Sequence, residues 1–473
     1  MDRRDFLKNI GSCAAAMAVP GCFCPGENKK RLPNIVFILI DDLGWRDLSC
    51  YGSEYYQTPN IDRLCSQSMK FTDAYAACPV CSPTRASIQT GKYPARLHLT
   101  AHIPGRPSGK HYVPENAKYL PAELITQLPL EEVTIAEELK RAGYTTGFFG
   151  KWHLAGAHNW SGNKPIDGKF FPDKQGFDIN IGGCARGMPK SFFEPYGIPG
   201  LENRKKGEYL PDRLTEEAIN FIDANKNKKP FMLYLSYYTV HTPTQAKKEV
   251  IAKYQNKPKH GQKSAVYAAQ VEGMDTAVGG VLNKLKQAGL DENTIVFFYS
   301  DNGGYSDVTN NSPLRAGKAH LYEGGIRVPL MVRWPGVVKA GSISNEPVTS
   351  VDLYPTLLEI TGLKSAPDKI VDGQSLIGLL KGKGKLKPRA IYWHYPNYGN
   401  LGNRLSSAIR LGDYKLIEFL DDYSVELYDL RKDIGETENL ADKLPEKTDQ
   451  LRANLHQWRK SVDAQMPRLN PDH

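Results

Sequence analysis

Beyond its first residues the chain has no long hydrophobic run. No stretch approaches the ~20 consecutive apolar residues that a spanning helix needs, so the sequence predicts a mature protein that does not cross a membrane. Cysteine is also scarce, with eight in 473 residues. Cys13 lies in an N-terminal leader and Cys22 and Cys24 at its edge, while Cys50, Cys65, Cys78, Cys81 and Cys184 are too scattered for a disulfide framework. Cys78-Pro79-Val80-Cys81 has the spacing of a redox pair. Thioredoxin-like pairs, however, sit in a small βαβ setting, whereas this one runs straight into Pro83 and Arg85. A focus of positive charge is missing too: the net charge is +9, but lysine and arginine are spread along the sequence, which leaves no footprint for nucleic acid. An apolar content of 40% beside 24% charged residues excludes a disordered chain. The length suits one large domain with a smaller one, or two domains.

The first residues read as an address. Asp2-Arg3-Arg4-Asp5-Phe6-Leu7-Lys8 resembles the bacterial twin-arginine export signal, and a mildly apolar, alanine-rich stretch follows as far as Val19. The expectation is an exported protein, periplasmic or at the cell surface, carried by the twin-arginine machinery. Val19-Pro20-Gly21-Cys22 looks like a lipobox with an unusual proline, so a lipid anchor at Cys22 and ordinary cleavage nearby both stand.

Past the leader, Asn34-Ile35-Val36-Phe37-Ile38-Leu39-Ile40 is a short, continuous apolar run of the kind buried on both faces of a parallel sheet. It stops at Asp41-Asp42. Residues 294–299 repeat the pattern and stop at Ser300-Asp301-Asn302-Gly303-Gly304; residues 231–238 end near His241; residues 144–149 are followed by Gly150-Lys151-Trp152-His153. Each predicted strand delivers polar residues at its C-terminal end, where open α/β sheets place their ligands. Helical stretches at 134–142, 215–224 and 265–287 fall between them, which predicts an α/β fold. The basic, glycine-rich stretch at 381–388 reads as a linker or exposed loop, followed by short runs at 390–394, 406–411, 414–419 and 424–429 and a helix over 445–462. The expected organisation is a leader (1–30), a catalytic domain (31–385) and a smaller C-terminal α+β subdomain with an antiparallel sheet (386–473).

The string Cys81-Ser82-Pro83-Thr84-Arg85-Ala86-Ser87-Ile88-Gln89-Thr90-Gly91 brings together a reactive side chain, a rigid turn and a fixed cation. If Ala86 to Thr90 run as a helix ending at Gly91, Cys81 lies near a helix N-terminus, which favours an anion. A buried structural cysteine beside a surface arginine is the alternative. Asp41, Asp42, Asp301 and Asn302 offer only oxygen ligands, which suits calcium or magnesium rather than zinc; helix capping is the other reading of Asp41-Asp42. Arg85, Lys151, His153, His241 and Lys318 are cationic or proton-carrying residues placed after the predicted strands or in a glycine-bearing loop.

The Cys81 string resembles the formylglycine motif of the type I sulfatases, with Thr84 where serine or alanine is common and Gln89 where an apolar residue is frequent. The segments around Lys151, His241 and Lys318 resemble further motifs of that family, so the resemblance runs from Asn34 through Asp352-Leu353-Tyr354-Pro355-Thr356. It implies an alkaline-phosphatase-like sheet, a sulfatase-maturing enzyme as partner and oxidation of Cys81 to an aldehyde. It also implies calcium on Asp41, Asp42, Asp301 and Asn302, reached as well by residue 81. The hydrate of the aldehyde would attack sulfur with one hydroxyl and expel sulfate with the other. Arg85 and Lys151 would fix charge, His153 would help elimination, and His241 with Lys318 would bind sulfate and protonate the leaving oxygen, a transfer in which Asp301 could share. Residues 182–193 and 237–243 look like bacterial relatives of N-acetylgalactosamine sulfatases, which implies a sulfated carbohydrate substrate. A phosphomonoester or phosphodiester hydrolase of the same superfamily and a glycan-binding protein without turnover remain as alternatives.

Overall fold

The computed structural model describes residues 32–104, 112–157, 167–364, 369–399 and 401–473. The export signal and Cys22 lie outside the described residues. Among the described residues no helix is long and apolar enough to cross a membrane.

An eight-stranded sheet organises the fold. Its strands, in chain order, are β1 (Asn34–Ile40), β2 (Met69–Phe71), β3 (Thr145–Gly150), β4 (Ile179–Ile181), β5 (Phe231–Ser236), β6 (Thr294–Ser300), β7 (Leu330–Arg333) and β8 (Ser342–Ser344). They lie side by side as β8-β2-β7-β6-β1-β5-β3-β4. From β6 to β4 all neighbours are parallel, whereas β7 runs antiparallel to both β6 and β2. Every residue of β1, β5 and β6 is buried, as their unbroken apolar sequences predict for central strands covered on both faces. In register, Phe297, Phe37, Tyr234 and Phe148 sit opposite one another on β6, β1, β5 and β3. Their rings stack at centroid distances of 5.8, 4.9 and 5.3 Å. Such pairs add about 0.5–1.5 kcal/mol each beyond burial, and they pin the register that brings the four strand ends level.

Helices cover the sheet: α1 (Pro59–Ser66), which the sequence reading did not name, α2 (Cys81–Thr90), and at the expected stretches α3 (Ile135–Arg141), α4 (Leu210–Asn225) and α5 (Ala265–Gln287). Several boundaries differ from the sequence reading, and two of the differences have a plain cause. α4 starts five residues before Thr215, because Pro211 sits in its first turn, where a missing N–H costs nothing. β5 stops at Ser236, and Tyr237 and Tyr238 continue as buried loop, the Tyr237 hydroxyl pairing with that of Thr215 at 2.7 Å.

The C-terminal strands β9 (Ala390–Tyr395), β10 (Ser406–Leu411), β11 (Tyr414–Phe419) and β12 (Val425–Asp429) form an antiparallel sheet in chain order. Its alternating residues bury both faces. Ile409, Leu416 and Leu427 meet Leu451, Leu455 and Trp458 of the helix α6 (Pro445–Ser461), whereas Ala408, Ile417 and Tyr428 meet Tyr75, Ala319, Leu321 and Ile326. The second face therefore backs the loop that carries Lys318. Pro33–His473 form one compact unit.

Candidate active site

The four central strand ends converge. β1 hands on to Asp41 and Asp42, β6 to Asp301 and Asn302, β3 to Lys151 and β5 to the loop that carries His241. Main-chain bonds lock these ends together: Asp41 N–H donates to Thr239 O at 2.9 Å, Lys151 N–H to Ser236 O at 2.8 Å and Asp301 N–H to Ile40 O at 3.1 Å. Asp42 (φ 62°) and His153 (φ 58°) are held in the left-handed region, as are Ala316 (φ 58°) and Ala319 (φ 72°) on either side of Lys318. Non-glycine residues enter that region at a cost, so their side chains are aimed by the surrounding fold.

Cys81 is the first residue of α2, which ends at Gly91 in the left-handed conformation. The helix begins earlier than the sequence predicts, because Pro83 lies in its first turn, where proline is tolerated. Cys81 Sγ lies 3.3 Å from His153 Nδ1, and His153 Nε2 lies 2.9 Å from Ile103 O. Since a carbonyl can only accept, Nε2 carries the proton and Nδ1 presents its lone pair to residue 81. Burial, then Lys151, push the His153 pKa well below its usual range, so this neutral ring persists. Burial likewise pushes the Cys81 thiol up, against the pull of Lys151 and Lys318.

The cations are spoken for one by one. Lys151 Nζ donates to both oxygens of Asp41, at 2.9 and 2.7 Å, with both side chains fully buried. Arg85 Nε donates to Asp301 Oδ2 at 2.8 Å, and its NH1 group to Lys151 O and Ser236 Oγ, both at 2.7 Å. Lys318 Nζ donates to Asp42 Oδ2 at 2.7 Å and stays 14% exposed, which places it at the mouth. Although burial opposes its charge, Asp42 holds the Lys318 ammonium above its ordinary pKa. Burial also opposes the charge of Asp42, yet Lys318 and His241 hold it low. For Asp41 burial prevails over Lys151, and its pKa is raised.

The oxygen donors fit a hard cation. Ligand atoms of Asp41, Asp42 and His241 lie within 4.8 Å of one another, close to twice the ~2.3–2.6 Å of a calcium–oxygen bond. Asp301 and Asn302 adjoin them, with Asp42 N–H on Asp301 Oδ1 at 3.1 Å and Asn302 Nδ2 on Asp42 Oδ1 at 2.8 Å. Asn302 Oδ1 is buried without a hydrogen-bond donor, as suits an acceptor aimed at a cation. The sequence reading kept histidine out of this set. The structure places His241 beside it: Nδ1 is committed to Thr242 O at 2.8 Å, and Nε2 faces Asp42 Oδ2 at 3.7 Å.

All ten residues singled out in the sequence thus gather here. Sequence reasoning missed three contributors. Ser236 hydrogen-bonds both Arg85 and the Lys151 carbonyl, and as the last residue of a predicted strand it was open to notice. The Ile103 carbonyl fixes the His153 tautomer and leaves no signal in sequence. Gly187 lies against the His153 ring so closely that a Cβ would stand 2.4 Å from Cε1.

A family model described as Sulfatase matches residues 33–363, and one described as N-sulphoglucosamine sulphohydrolase, C-terminal, matches residues 316–465. The chain belongs to the sulfatase family. It is 35% identical to a Formosa agariphila sulfatase, with 88% of this chain and 85% of that one covered. It is 34% identical to the mouse N-acetylgalactosamine-6-sulfatase, with 81% and 71% covered. Its fold matches the crystal structure of Ps i-CgsB in complex with k-i-k-neocarrahexaose at a TM-score of 0.76 and 30% identity, over 90% of this chain and 93% of that one. The large, mostly parallel sheet with its C-terminal antiparallel sheet is the alkaline-phosphatase-like fold, and this sulfatase is a sulfuric ester hydrolase.

Proposed function

We propose that this sulfatase is exported and removes sulfate from sulfated carbohydrates, galactose or N-acetylgalactosamine units among them. Its nucleophile is Cys81 oxidised to formylglycine, and its cation is calcium on Asp41, Asp42, Asp301 and Asn302. One observation carries the reading: residue 81 opens α2 with the His153 Nδ1 lone pair 3.3 Å away, beside an oxygen-rich cluster fitted to a hard cation. An unmodified Cys81 would be a poor attacker there, because burial keeps its thiol protonated. The relative named for N-acetylgalactosamine-6-sulfate and the neighbour bound to a neocarrahexaose support a sulfated sugar.

A sulfate ester is anionic at any biological pH, so the site must hold its non-bridging oxygens with fixed charge and protonate the leaving oxygen. The bound cation and the oxidised side chain would supply, respectively, positive charge at sulfur and an oxygen nucleophile. Arg85, tied to Asp301 and to the Lys151 carbonyl, holds the framework. Lys151 contributes charge from the floor and Lys318 from the mouth. His153, neutral and with Nδ1 free to accept, takes the proton from a hydroxyl at position 81 when sulfate is expelled. The Nδ1–H of His241 is held in a hydrogen bond to the Thr242 carbonyl, and its Nε2 carries no proton to give. The ammonium of Lys318 is thus the better-placed proton donor to the leaving oxygen.

Two measurements test this together: the mass of the residue-81 peptide from the native host, and turnover of matched aryl sulfate and aryl phosphate. Formylglycine and preferred sulfate turnover are expected. An unmodified cysteine in active enzyme would sink the nucleophile, and faster phosphate turnover would move the protein to the phosphohydrolases. A panel of defined sulfated saccharides then reads the sugar.

A further inference from the structure

Cys50 and Cys65 lie outside the catalytic cluster and take no part in the reaction above. They are 15 positions apart in the chain, in the short 3-10 turn Ser49–Tyr51 and in α1 (Pro59–Ser66). The main chain of Cys50 is clamped from both sides of Cys65. Its N–H donates to Asp62 Oδ1 at 2.9 Å, and its carbonyl accepts from Lys70 Nζ at 3.0 Å. Asp62 precedes Cys65 by three residues on the same helix, so the two share a face, and that face is the one on which Cys50 rests. Tyr51 is anchored in turn, its hydroxyl donating to Phe71 O at 3.0 Å and to Leu330 O at 2.7 Å. The two thiols are close enough for each to shift the other's titration. Cys50 is half-buried and Cys65 is 8% exposed, whereas Cys78, Cys81 and Cys184 are 0–2% exposed.

We propose that Cys50 and Cys65 are a modification site, a dithiol that closes to a disulfide by exchange with a disulfide-bearing donor. The neighbouring Cys50 thiol, with help from Lys70, holds the Cys65 thiol below its usual pKa, whereas Cys65 and burial hold Cys50 up. Cys65 is therefore the attacking sulfur. Its thiolate displaces one half of the donor disulfide as a thiolate and forms a mixed disulfide. Cys50 then loses its proton and attacks the Cys65 sulfur, which releases the second half. One disulfide is made and one is broken, and the two thiol protons leave on the two donor thiols. Cys78 and Cys81, which have the spacing of a redox pair, are the wrong pair for this chemistry, because Cys78 is buried and position 81 belongs to the catalytic cluster. The cross-link ties the 3-10 turn to α1 in the stretch that follows Asp41 and Asp42, and it restricts the unfolded chain as well.

The test uses the purified full-length protein, incubated without denaturant with oxidised glutathione and then alkylated and digested with trypsin. Cleavage after Arg46, Arg63 and Lys70 places Cys50 in residues 47–63 and Cys65 in residues 64–70. The expected product is these two peptides joined, lighter by two hydrogens than their sum. Cys50→Ala should stop at a glutathione adduct on Cys65, and Cys65→Ala should leave Cys50 free to alkylate. Wild-type protein in which both thiols are still alkylated, or carry only glutathione, would overturn the proposal. Faster adduct formation on Cys50 in Cys65→Ala than on Cys65 in Cys50→Ala would overturn the order of attack. Oxidised wild-type protein should also unfold at a higher temperature than either variant, a difference that disappears on reduction.

Discussion

His153 shows how little freedom a working side chain has here. Its backbone sits at φ 58°, its Nε2–H is bound to Ile103 O, and Gly187 closes over the ring. A methyl group at position 187 would stand 2.4 Å from His153 Cε1, closer than carbon atoms approach, so the ring must move off Cys81. We expect Gly187→Ala to lower kcat about 100-fold, the scale on which a 1 Å misplacement acts, with the circular dichroism spectrum unchanged. A variant with wild-type kcat would show that the ring position is not limiting. Lys318→Met removes the ammonium that faces Asp42 at the mouth. A loss of at least about 100-fold in kcat/KM for aryl sulfates is expected, smaller for substrates whose leaving group needs no proton; equal losses across leaving groups would assign Lys318 to binding alone. At this scale the sequence showed the residue types and their place after strands. It could not show the His153 tautomer, which depends on a carbonyl 50 positions away.

Elements were more legible than their partners. The apolar runs at β1, β5 and β6 could be read as buried strands because nothing but burial on both faces tolerates such sequences. The antiparallel course of β7, by contrast, depends on contacts set elsewhere in the chain. The support of the Lys318 loop was equally hidden. Lys415 of β11, fully buried, donates to Glu323 Oε1 at 2.9 Å and to Glu436 Oε1 at 2.8 Å, while Glu436 Oε2 accepts from Glu323 N–H at 2.6 Å. Glu323 also accepts from Arg327 Nε at 2.6 Å. Burial, against Lys415, pushes Glu436 up to about 7. Lys415→Met would leave Glu323 and Glu436 buried without their shared cation. Breaking such a pair costs about 3–5 kcal/mol, and the loop should loosen with it. The expected result is a lower unfolding midpoint and a raised KM, both partly restored in Lys415→Met/Glu436→Gln; additive losses in the double variant would mean that the two residues act separately.

Across the whole molecule, buried histidines kept neutral couple stability to pH with one sign. His394 on β9 is 4% exposed; Nε2 donates to Gln465 O at 2.8 Å and Nδ1 accepts from Ser407 Oγ at 2.7 Å, which ties the C-terminal sheet to the segment after α6. Both ring nitrogens are engaged in the neutral form, and burial, with Arg459 adding to it, lowers the pKa to about 4. The unfolded chain titrates near 6.5, so between those values it binds a proton that the folded protein refuses. Stability is therefore full above about pH 6.5, falls as the pH drops through that window and levels off below about 4, a total on the order of 3 kcal/mol. His153 and His241, also held low by burial, act in the same direction. Urea unfolding at pH 7 and pH 5 should show a loss in the wild type that is smaller by about 2 kcal/mol in His394→Gln. If the two proteins lost stability equally, the proton would be taken up elsewhere, and the junction between the C-terminal sheet and α6 would be held by packing rather than by a neutral imidazole.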